Sequence, residues 1–68
     1  MTDKDRIQEA YEDKLGNLYE QLFNGLLAAQ SDKAQVNAAE GRFSQGVALA
    51  RRTRDRAMAL VDPITMPS

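Results

Sequence analysis

The side chains with the most chemical capacity are charged and fall into two sets: the basic run Arg51-Arg52-Thr53-Arg54-Asp55-Arg56, and the carboxylates Glu9, Glu12, Asp13, Glu20 and Glu40. The carboxylates raise the question of a metal or acid/base site. Di-metal sites in helical bundles combine glutamates with a Glu-x-x-His element, and the chain contains neither His nor Cys. Its Ser, Thr and Tyr hydroxyls therefore have no imidazole or thiol partner to activate them. Gly41 and Gly46 lie within a helical pattern and follow no strand, so they do not form a phosphate loop. We expect a protein that is not an enzyme, with no cofactor and no metal site. The carboxylates then read as solvated helix faces.

On a helix, Arg52 and Arg56 share an outer face at i, i+4, Arg51 lies on a flank, and Arg54 falls on the stripe of Phe43, Val47 and Ala57. Arg51, Arg52 and Arg56 are candidate contacts for an anion or a nucleic acid. Against this, no aromatic residue is interleaved with the arginines and the formal net charge is -1. The leading reading is a solvated basic face near a helix C-terminus, where cations are favourable. For Arg54 we expect escape to the edge of the seam, or a carboxylate partner such as Asp5 or Glu9.

Two helices must position these groups. Thr2 or Asp3 caps the first, whose apolar residues Ile7, Tyr11, Leu15, Leu18, Leu22, Leu26 and Ala29 recur at helical spacing. A second row, Tyr19, Phe23 and Leu27, widens the apolar arc beyond what one neighbouring helix can cover. Ser31 or Asp32 is the next N-cap, with Asp32 and Gln35 at capping-box spacing. The second helix should bury Val36, Ala39, Phe43, Val47, Ala50, Ala57 and Val61, with Gly46, Leu49 and Leu60 on its shoulder. Gly41 and Gly46 are expected where backbones approach closely, which offsets their poor helix propensity. The whole chain, 1–68, thus reads as one domain: a helix over about 3–30, a turn at about 30–33, a helix over about 33–61 and an irregular tail at about 62–68. No Gly or Pro marks the turn, so one unbroken helix is the competing reading.

The predicted fold class is all-α, an antiparallel two-helix hairpin. In that hairpin Tyr11 should face Ala50, Leu15 face Val47, Tyr19 face Phe43 and Leu26 face Val36, with the acidic start of the first helix beside the arginines. At 68 residues a single core is marginal, and without Cys or His the chain lacks the usual disulfide or zinc support. Association remains, so we expect the hairpin to complete a four-helix bundle as a homodimer, or to pair with another helical protein. Tyr19, Phe23, Leu27, Leu49 and Leu60 are the expected partner or dimer interface. No apolar run approaches the ~18 residues of a membrane span and the first residues are charged, which points to a cytoplasmic protein with no membrane partner. The expected function is a small protein-protein interaction module, such as an adaptor, co-chaperone or assembly subunit. The alternative is a small nucleic-acid-binding regulator.

Overall fold

A computed structural model of the chain describes residues 2–61. It contains two α-helices, α1 (Asp3–Ala29) and α2 (Lys33–Val61), packed against each other as a hairpin. The expected irregular tail at 62–68 lies outside the described residues.

Local side chains set the ends of both helices. Thr2 is extended at φ -92 and ψ 168, and its Oγ1 accepts from the Asp5 amide at 3.1 Å. The Asp5 carboxylate accepts in turn from the Thr2 amide at 3.2 Å, closing a capping box in which Asp takes the place of the usual Glu. Asp3 and Asp5 also put negative charge at the positive end of the helix dipole. At the other end, Gln30 turns the chain out of α1 with φ 54 and ψ -114, while its amide still donates to the Leu26 carbonyl at 3.0 Å. Asp32 restarts the helix. Its Oδ1 accepts from the amides of Ala34 at 3.0 Å and Gln35 at 3.3 Å, and its carbonyl accepts from Val36 at 2.9 Å. The chain therefore folds back and does not continue as one helix.

Along the seam the two helices run antiparallel. Leu18 lies over Gly46, Gly25 faces Ala39, and the Tyr11 ring lies under Arg54. The Leu18–Gly46 and Gly25–Ala39 pairings are displaced by about two residues from the expected register, in the direction that a lean of the Leu18 and Ala39 side chains towards their own N-termini gives. Tyr11, expected to face Ala50, instead shares the groove with it and is reached by the long Arg54 side chain four residues further on. Three further expectations need correction. Val61, expected on the buried face, is 37% exposed at the last residue of α2. Gly41 has nothing near it, so it is Gly25, with Gly46, that marks the close approach. Arg54 pairs with its neighbour Asp55, both Nε and Nη2 lying 3.0 Å from Oδ1, and does not reach Asp5 or Glu9.

The hairpin is a plate, 54 × 24 × 7 Å across its Cα atoms. Its radius of gyration of 16.0 Å exceeds the roughly 11 Å of a compact chain of this length. Among the described residues only Leu18, Ala29 and Ala39 are buried. Domains close their cores between at least two layers, and one layer is present here.

Candidate interaction surfaces

A one-layer hairpin has two broad faces, and helical geometry assigns residues to each. Successive residues turn by about 100°, so from the Leu18 line on α1 the side chains of Leu22, Leu15, Leu26 and Tyr19 follow to one side, with Phe23 and Leu27 continuing to the outer edge. Lys14, Gln21 and Ala10 follow to the other. On α2 the Ala39 and Gly46 line divides Phe43, Val36 and Val47 from Thr53 and Leu49 in the same way.

The first face is apolar and only partly covered. Leu15, Leu22, Leu26, Val36, Phe43 and Val47 are half-buried, while Tyr19 is 60% exposed, Phe23 53% and Leu27 66%. The charged residues that adjoin it, Glu12, Lys33, Glu40, Arg51 and Asp55, are of both signs.

On the second face is an open groove of about 550 Å³ between the helices. Ile7, Ala10, Leu18, Gly46, Ala50 and Ala57 contribute to its apolar surface, joined by Leu49, Tyr11, Gln21 and Thr53. The Thr53 hydroxyl donates back to the Leu49 carbonyl at 2.8 Å, which satisfies it within α2. The ionised side chains lining the groove are Lys14 and Arg54, both cations. Arg54 lies over Tyr11, its guanidinium carbon 4.5 Å from the ring centroid.

The five interface residues expected from sequence thus divide between two surfaces. Tyr19, Phe23 and Leu27 adjoin the first face; Leu49 lines the groove, and Leu60, eleven residues on, falls on the same α2 row. Sequence reasoning missed the groove itself. Its signal lies in the small residues Ala10, Gly46, Ala50 and Ala57, of which sequence alone gives Ala50 to Tyr11, Ala57 to the buried stripe and Gly46 to the shoulder, and assigns Ala10 no place.

Arg51, Arg52 and Arg56 are exposed. Among the described residues none of them pairs with the acidic start of α1. All three lie about 100° or more round α2 from the seam, which removes them from the cross-hairpin pairing expected from sequence. No group of three or more carboxylates among the described residues is arranged to hold a metal ion, and no described helix is long and apolar enough to cross a membrane. Comparison with known proteins finds no match to the chain among protein-family models, curated proteins or solved structures.

Proposed function

We propose that this protein is a non-enzymatic interaction module, a helical hairpin that acts by packing its first face against a second layer of helices. The observation that carries this reading is the 7 Å plate with three buried residues and a contiguous row of exposed Tyr19, Phe23 and Leu27. Burial of apolar surface is worth about 25 cal/mol per Å², and this face leaves its largest side chains in water. A plate of 54 × 24 Å offers on the order of 1,000 Å² per face, against the roughly 800 Å² per partner of a standard interface.

The second layer we favour is another copy of the chain, giving a four-helix bundle. A two-fold axis through the first face brings Tyr19 and Phe23 of one copy against the equivalent surface of the other. Charges of both signs around that face allow opposite charges to meet across the axis. Sedimentation equilibrium tests this directly. A dimer at micromolar concentration is expected, converted to monomer by Phe23→Asp; a folded, monomeric wild-type chain refutes the assembly.

The exposed Arg52 and Arg56 pair, unengaged by carboxylates among the described residues, favours a second reading as a nucleic-acid contact with Arg51. Its signature is binding to RNA or DNA in a mobility-shift assay that collapses between about 50 and 200 mM salt through counterion release. Absence of a shift at low salt eliminates this reading.

A further inference from the structure

We propose that the groove on the second face docks an amphipathic helix from another protein, one with a large apolar stripe and acidic flanks. The apolar floor runs parallel to both helix axes from Ile7 to Gln21 on α1, about 21 Å at 1.5 Å per residue, the length of a helix of roughly four turns. Ala10, Gly46, Ala50 and Ala57 keep the floor low, so large side chains of an incoming helix find room between the two helices.

Charge selects the occupant. The lining holds Lys14 and Arg54 and no carboxylate. On α2, Arg42 and Arg56 extend the row of Gly46 and Leu49 at helical spacing, and Arg42 Nη2 lies 3.9 Å from where a Cβ on Gly25 would stand. Arg42, Arg56, Asp3 and Asp13 stand outside the lining itself, Asp3 on the groove flank of α1 about five turns from Gln21, and Asp55 pairs with Arg54. The positive edge is therefore carried by Lys14, Arg42 and Arg56 against the single carboxylate Asp3. A second copy seated here would bring Lys14 and Arg54 against the same cations of its twin, whereas a helix flanked by Glu or Asp meets opposite charge along both edges. This surface is separate from the face assigned to self-association, so the hairpin can pair and dock at once.

The test uses the full chain and designed, fluorescein-labelled 16-residue peptides followed by fluorescence anisotropy. One carries leucines at i, i+3, i+4 and i+7 with glutamate flanks, a second has lysine in place of the glutamates, and a third has serine in place of the leucines. The acidic amphipathic peptide is expected to saturate, with the lysine and serine versions at least about tenfold weaker. Lys14→Glu with Arg42→Glu should weaken the acidic peptide by about tenfold or more, and because Arg42 reaches over the seam at Gly25, an unchanged helical circular-dichroism signal and melting midpoint of the double variant separates loss of charge from loss of the hairpin. Leu49→Asp should abolish its binding, and Phe23→Asp should leave it unchanged while altering the oligomeric state. Equal binding of the lysine peptide overturns the proposal. Equal binding of the serine peptide identifies the surface as a plain polyanion patch and also overturns it. If Leu49→Asp dissociates the protein and Phe23→Asp does not, the groove is the self-association face and the docking assignment falls.

Discussion

Gly25 and Gly46 stand where the helices touch, and Gly16 and Gly41 face open space. A Cβ on Gly46 would come within 2.6 Å of the Leu18 Cδ2 atom, and Leu18 is one of the three buried residues. Gly46→Ala therefore gains up to about 1 kcal/mol of helix propensity and loses roughly 1 to 3 kcal/mol to overpacking, for a net destabilisation near 1 kcal/mol. Gly16→Ala and Gly41→Ala meet no atom within 4 Å and should each stabilise by about 0.5 to 1 kcal/mol. Urea unfolding of the three variants at one protein concentration checks the signs. The reading of Gly41 shows a limit at this scale: a glycine's composition is visible in sequence, but whether a backbone lies opposite depends on register. Leu18 over Gly46 differs from the expected pairing by about two positions, a shift set by the lean of side chains on both helices.

For the elements, helix ends were more legible than the break between them. Thr2 and Asp32 are strong caps with a mechanism that acts within four residues, so sequence alone narrowed each start to two adjacent residues, Thr2 or Asp3 and Ser31 or Asp32, and the hydrogen bonds choose Thr2 and Asp32. Asp32→Ala should cost about 1 kcal/mol, seen as a lower midpoint in thermal unfolding at fixed concentration. The break has no such marker, because Gln30 occupies a positive-φ conformation that glycine would adopt freely. Gln30→Gly is expected to stabilise the hairpin by about 1 kcal/mol, and Gln30→Val to destabilise it, as read in the same melts. Opposite signs would show that the reversal is not under backbone strain. The division of each helix into two flanks is likewise written in its periodicity. Which flank of α1 shares a face with which flank of α2 follows only once the hairpin has closed.

The whole molecule is limited by area. One layer of two helices leaves Tyr19, Phe23, Leu27, Leu49 and Leu60 exposed, and the chain is too short to supply a second layer from its described residues. If copies of the chain provide that layer, the unfolding midpoint should rise with protein concentration by mass action, and Phe23→Asp should abolish the dependence. A concentration-independent midpoint for the wild type would argue for a self-sufficient monomer. The all-α class and the hairpin could be read from caps and periodicity. The groove could not, because its walls come from residues far apart in sequence, such as Ala10 with Ala57, which meet only through the observed register.

The thinness of the plate also bears on turnover. With three buried residues among those described, opening exposes little that is not already exposed, so an isolated hairpin offers its backbone to proteases at a small free-energy cost. In the regime where opening is fast relative to cleavage, degradation follows the population of the open form. Any partner that covers a face lowers that population. Limited proteolysis should therefore slow as the chain is concentrated or its groove is filled, and unassembled copies would be removed first. On the assembly proposed above, a protein built this way would keep its own abundance matched to that of its partners without a dedicated regulator.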